Sequence, residues 1–239
     1  MKSLFDLPKR TTWALMVSCF GILALSASCT KDNPEPEPIP TGDVKVQFVN
    51  AFSGSAAQEF YVTNARFGTQ TVAYGQASGY ATTNTINNLY AFKDAGSTAA
   101  TVANADSRVI LDIGGSFTFY YYKPSSPING RAAVAVNDNT TAPASGKAKV
   151  RFIHFNSLIA NTVPLKITVQ GTTTALVSDF LPLSITNYYE VDPAAKFTVE
   201  GLASPVTFSS LTLTAGKIYT IWLGGTSSTE VTGNLVLQN

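Results

Sequence analysis

Histidine and cysteine are nearly absent from this sequence, with one of the former and two of the latter in 239 residues. The usual ligands for zinc are therefore missing, and no H-E-x-x-H motif, cysteine cluster or D-x-D-x-D-G loop takes their place. No metal and no cofactor is expected. Charge is scarce too: 16 Lys and Arg against 15 Asp and Glu, 13% of the chain in all. A balance so even leaves no basic footprint, so nucleic acid is not an expected partner. Long apolar runs are also lacking. The uncharged stretch from Trp13 to Leu25 is 13 residues, where a helix needs roughly 20 to cross a bilayer. No longer run follows, which excludes a multi-spanning helical protein.

That short run fits export instead. Lys2, Lys9 and Arg10 precede it, and the small residues Ser26, Ala27 and Ser28 lead into Cys29. A charged start, a short apolar stretch and a small-residue cleavage site make a signal peptide, placed at 1–28. The stretch LSASC resembles a bacterial lipobox, in which lipid is attached to the cysteine and the chain is cut before it; Ser26 stands where Leu is usual. Cys29 is thus the candidate lipidation site. Cys19 is a competitor, and an ordinary secreted protein with a free thiol is the plain alternative. Residues 29–42 hold four prolines and three acidic residues, TKDNPEPEPIPTG after the cysteine. Such a segment buries little and reads as an extended tether, at roughly 3.1 Å per residue.

Removing 1–28 takes three basic residues and one acidic residue, leaving 13 and 14. With Cys19 lost and Cys29 lipidated, no disulfide is available, so the fold must rest on its apolar core. The residues that would make it repeat. Lys45 to Asn50 (KVQFVN) matches Lys149 to His154 (KVRFIH) at an offset of 104, and 108–122 matches 210–224 at an offset of 102. Within each copy the apolar period is two, with Gly, Asn, Asp and Ser between runs, and no stretch sustains a helical stripe. The expected fold is all-β: two tandem immunoglobulin-like β-sandwich domains at 43–138 and 147–239, joined by a linker at 139–146. Residues 89–103 read as either a turn-rich insertion or a short helix.

Certain residues carry a family resemblance: KVRFIHFNS, the AYGQASGY segment at 73–80 with DFLPLSITNYYEVDP at 179–193, and TAGKIYTIWLGG at 214–225. They look like domain-of-unknown-function family 4397, whose members occur, often in tandem, in lipoproteins of Bacteroidota. The resemblance spans about 43–238 and implies a β-sandwich with no established chemistry. Asn50 replaces the histidine in the first copy, and Ile113-Gly114-Gly115 replaces the Ala-Gly-Lys of the second.

Catalytic constellations are hard to find. His154 alternates with Phe152 in a predicted strand and reads as a hydrogen-bonded structural residue. Gly75 to Gly79 (GQASG) is not a G-x-S-x-G elbow. Glu190 and Asp192 would share one side of a strand end, which a solvated end explains equally well. Asn137-Asp138-Asn139 reads as the interdomain turn. No catalytic residue is assigned. The aromatic strands offer one functional idea. If Phe117, Phe119 and Tyr121 face the core, Tyr120 and Tyr122 face outward, and Trp222 does so in the second copy. Outward rings on a rigid sheet are candidates for ligand stacking; packing against a neighbouring strand, the tether or the other domain is the alternative.

The expected protein is a non-enzymatic, lipid-anchored component of the outer membrane. Its expected partners are the membrane, through the anchor, and a glycan or another envelope protein. The rival readings are a glycan-binding accessory of a polysaccharide uptake system and an exported hydrolase.

Overall fold

A computed structural model describes residues 40–84, 88–98, 101, 103–126 and 130–239. Cys29 and the signal segment lie outside the described residues. Thr41–Asn239 forms one compact unit.

The period-two pattern becomes strand throughout, and no helix occurs among the described residues. The first half contributes β1 (Asp43–Asn50), β2 (Gln58–Val62), β3 (Ala65–Arg66), β4 (Ala81–Asn84), β5 (Asn88–Asp94), β6 (Ala105–Val109), β7 (Ser116–Tyr122) and β8 (Ala132–Asn137). The second contributes β9 (Ala148–His154), β10 (Leu165–Val169), β11 (Ala175–Phe180), β12 (Tyr189–Val191), β13 (Phe197–Glu200), β14 (Val206–Thr207), β15 (Ile218–Gly224) and β16 (Thr232–Leu237). These make four sheets of four strands, ordered β4-β1-β7-β8 and β3-β2-β5-β6, then β12-β9-β15-β16 and β11-β10-β13-β14. Adding eight to each strand of the first half gives the second half. In both, the first strand runs parallel to the seventh, Lys45 beside Ser116 and Lys149 beside Ile218.

Each half is a sandwich with its own core. Alternate residues of β1 and β7 (Val44, Val46 and Phe48; Phe117, Phe119 and Tyr121) meet Phe60, Tyr90 and Phe92 from the facing sheet. Rings dominate there, with Phe48 on Phe60 at 4.8 Å and Tyr90 on Phe119 at 4.5 Å. The second core is more aliphatic, with Val150, Leu165, Ile167, Val199, Ile221 and Leu223 around Phe152 and Phe197.

The described part of 89–103 is strand followed by turns: β5 ends at Asp94, and residues 95–98 fold back over the outer face of their own sheet. There Gly96 N–H donates to Glu59, the Tyr61 hydroxyl to Ser97 O and Lys93 Nζ to Thr98 O. The cross-strand pair Glu59 and Lys93 is buried as a result. Its counterpart in the second half, Lys166 and Glu200, has the charges exchanged and stays exposed at 3.0 Å.

Candidate functional site at the seam between the sandwiches

The two inner sheets present their remaining faces to each other. Alternation sends Val49, Tyr120 and Val136 out of the first core, and Ile153, Trp222 and Val236 out of the second. With Ala51 and Phe155 they form a third apolar cluster. This placement corrects the expectation of a stacking surface. Tyr120 and Trp222 do leave their own cores, but each is 0% exposed because the other sandwich covers it. Tyr122 is half-buried on the same cluster. Phe155 packs at a tilt against both Tyr120 and Tyr122, with centroids 5.0 Å apart, and Tyr74 meets Trp222 edge-on at 5.8 Å. The hydroxyls of Tyr74 and Tyr120 and the Trp222 Nε1 are buried without a hydrogen-bond partner among the described residues, and burial pushes the Tyr120 phenol up.

Beside the apolar cluster lies a buried polar clasp. Asp138, the residue after β8, pairs with Arg151 of β9, and both are almost wholly buried. Asp138 also accepts from Thr118 Oγ1 at 2.6 Å, the Tyr80 hydroxyl and Gln238 Nε2. Desolvation raises its carboxyl above the ordinary value, against the pull of Arg151 and these donors.

The bonds of the clasp come in matched pairs. Arg151 Nη1 donates to Asn137 O at 2.6 Å, and Gln47 Nε2 donates to Leu237 O at 3.2 Å. Arg151 Nε reaches Thr220 Oγ1 at 2.8 Å as Gln47 Nε2 reaches Thr118 Oγ1 at 2.9 Å. The Tyr188 hydroxyl donates to Gln238 as that of Tyr80 donates to Asp138. Gln47 and Arg151, Thr118 and Thr220, Tyr80 and Tyr188, Asp138 and Gln238 are topological equivalents. The seam is therefore a pseudo-twofold contact, in which one surface meets its own counterpart.

A cavity opens at each end of the seam. One of about 490 Å³ touches Lys45 and Ser116, at the starts of β1 and β7, together with Tyr80, Thr140 and Gln238. The other, about 260 Å³, lies where β1, β7, β9 and β15 end. Ala51, Ser53 and Lys123 line it from the first sandwich, and Phe155, Asn156, Ser157 and Thr226 from the second. Lys123 and the hydroxyls of Ser53 and Ser157 have no partner among the described residues, whereas Asn156 is committed to Ser227 O and Glu230 O. No hydrogen bond holds the ammonium away from the cavity.

The remaining sequence candidates are dispersed. His154 is wholly buried against Phe180, with ring centroids 5.5 Å apart, and neither ring nitrogen has a partner; a hydrogen-bonded role is thus overturned. Desolvation lowers its pKa to about 4. Glu190 accepts from Ala144 N–H and Asp192 from Ala194 N–H, so each is engaged by a turn. Sequence reasoning missed Asp138, read as part of the interdomain turn, and Arg151, read as part of a repeat signature. Lys149 and Arg151 are the charged residues that share the parity of Ile153 in β9, which was the available signal.

A family profile described as "Domain of unknown function (DUF4397)" matches residues 44–163, half of the chain. The chain belongs to the DUF4397 family. The DUF4397 match takes in the whole first sandwich and continues through β9 of the second. No curated protein matches the sequence. Among solved structures, the family CBM26 carbohydrate-binding module of Eubacterium rectale Amy13K, in complex with maltoheptaose, is similar at 12% identity and a TM-score of 0.24. That match covers 82% of this DUF4397 chain and 97% of the other.

Proposed function

We propose that this chain is a lipid-anchored envelope protein that acts by binding and not by catalysis, with its ligand held in the cavity where β1, β7, β9 and β15 end. The observation that carries the reading is the lining of that cavity, drawn from both sandwiches: an ammonium and two hydroxyls that have no partner among the described residues, beside the buried Phe155. Sites at domain junctions that combine an apolar wall with a few convergent polar groups are the usual form of ligand pockets. Lys123 suits a carboxylate or another anionic group and Ser53 and Ser157 suit further acceptors, while Phe155, 5% exposed, borders the cavity from the apolar seam. Phe155 is kept in place by Tyr120 and Tyr122 behind it. A glycan reading that relied on Tyr120 and Trp222 as surface rings has no support, because both are covered; an acidic sugar would meet Lys123 with its carboxylate and Ser53 and Ser157 with its hydroxyls.

Two measurements test the proposal. Calorimetric titration with a panel of acidic and neutral oligosaccharides should find an acidic binder, and Lys123→Met should weaken it about tenfold or more, the scale of a charge-assisted hydrogen bond. The melting temperature should be unchanged by Lys123→Met. Absence of any binder, or indifference to the substitution, argues against the cavity. The anchor is tested separately: Cys29→Ser should move the protein from the membrane to the soluble fraction and abolish incorporation of labelled palmitate.

A further inference from the structure

The pseudo-twofold seam would be equally satisfied by two first sandwiches or two second sandwiches, were the clasp neutral. It is not neutral. Of the four equivalent side chains at its centre, Gln47 and Gln238 are uncharged while Asp138 and Arg151 are charged, one charge on each sandwich. We infer that the Asp138–Arg151 pair is the partner-selecting element of the seam: it makes the first sandwich accept the second and reject another copy of itself. This inference is independent of the ligand proposal and uses none of the residues that line the proposed ligand cavity.

The argument follows from the equivalences. In the seam as built, Asp138 meets Arg151 and also touches its own equivalent, Gln238. Placing a second copy of the first sandwich on the same surface would set Gln47 where Arg151 stands and Asp138 where Gln238 stands. Two buried carboxylates would then face each other with no guanidinium between them. Pairing two second sandwiches would bury two Arg151 side chains with no carboxylate. A buried charge deprived of its partner is strongly disfavoured, whereas the same pair intact is close to neutral against uncharged substitutes. The pair therefore contributes little to the strength of the seam and much to the choice of what it joins, by building a penalty into the wrong combination. The partner that fits the first face is a sandwich with a guanidinium at the position of Arg151. The apolar residues around the clasp (Val49 against Ile153, Tyr120 against Trp222) discriminate far less, since both sides are uncharged.

The test uses the folded protein. A protease recognition sequence is inserted between Ala142 and Pro143, in the linker outside the clasp, and cut after folding, so that the halves are held by the seam alone. The cut protein is then equilibrated at micromolar concentration and its pairs are weighed by native mass spectrometry, the two halves differing in mass. For the unsubstituted clasp the mixed pair is expected to dominate, with like-with-like pairs rarer by about tenfold or more. In the Asp138→Gln, Arg151→Gln double variant, whose clasp has glutamine at all four positions, like-with-like pairs are expected to become as abundant as mixed ones. Three results would overturn the inference. One is like-with-like pairs already abundant with the native clasp. Another is a double variant that stays wholly mixed. The third is native halves that separate once cut, because the seam would then not be a self-sufficient interface.

Discussion

Asn50 and His154 occupy the same place at the ends of β1 and β9, yet the two sandwiches treat them differently. Asn50 Nδ2 donates to Ser55 Oγ at 2.9 Å and to Ala56 O and Val72 O, and its Oδ1 accepts from Phe52 N–H, so it ties the following loop to the strand. His154 is equally buried, with Phe180 against its ring and no partner for either ring nitrogen among the described residues. An imidazole in that position must stay neutral, and its folded pKa of about 4 lies below the unfolded value of roughly 6.5. The unfolded chain therefore takes the proton first as pH falls. Stability from this group is complete above pH ~6.5 and is lost on the way down to pH ~4, a span worth about 3 kcal/mol at most. Urea unfolding of His154→Leu should show a shallower loss between pH 7 and 4.5 than the native protein; parallel curves would contradict this account. Spacing in the sequence marked His154 as a strand residue facing inward. It gave no sign of the missing partner, because environment is set by residues far along the chain.

At the scale of elements, the inner sheets share a device that the strand pattern does not reveal. Beside each first strand runs a segment with a hydroxyl in place of a ladder bond. Phe48 N–H donates to Ser78 Oγ at 3.0 Å and Phe152 N–H to Thr186 Oγ1 at 2.9 Å. Each hydroxyl then donates to the next carbonyl, Gly79 O or Asn187 O, at 2.7 Å. Thr186→Val preserves shape but leaves the Phe152 N–H without its side-chain acceptor. It should cost about 1–2 kcal/mol in chemical denaturation, and Ser78→Ala should cost a similar amount in the first sandwich. A negligible effect would mean water replaces the hydroxyl freely. Equivalent turns need not carry equivalent residues: Gly75 has φ +85°, and Leu183, at the matching position, holds φ +67°, a conformation that disfavours L side chains. Strands with strong alternation, such as β1, β7, β9 and β15, were legible because one face of each meets an apolar core. β4, with the sequence ATTN, and β11, with ALVSDF, were not, since half-exposed edge strands keep little alternation. Parity was legible for Tyr120, Tyr122 and Trp222; what lies over them was not, because alternation reports a side and never its neighbour.

For the unit as a whole, the seam makes two sandwiches behave as one body. Its linker is no hinge, for Asp138 at the linker's first turn is locked into the clasp. Calorimetry should therefore record a single cooperative transition for the native protein. Trp222→Ala, which empties the centre of the seam, should cost about 3–5 kcal/mol and split the transition in two. Two transitions in the native protein would show that the seam does not couple the halves.

The parallel partnership of β1 with β7 has a mechanical consequence. The chain passes into the first sandwich at Asp43 and runs along β1, whose far end borders the proposed ligand cavity. Under the proposed function, a pull on the chain preceding Asp43 against a ligand at that far end would act along the strand. The bonds of β1 to β7 and β4 lie across this direction, so they strain together in shear instead of parting one after another, and a strand sheared in this way yields only at a force that would readily unzip a hairpin.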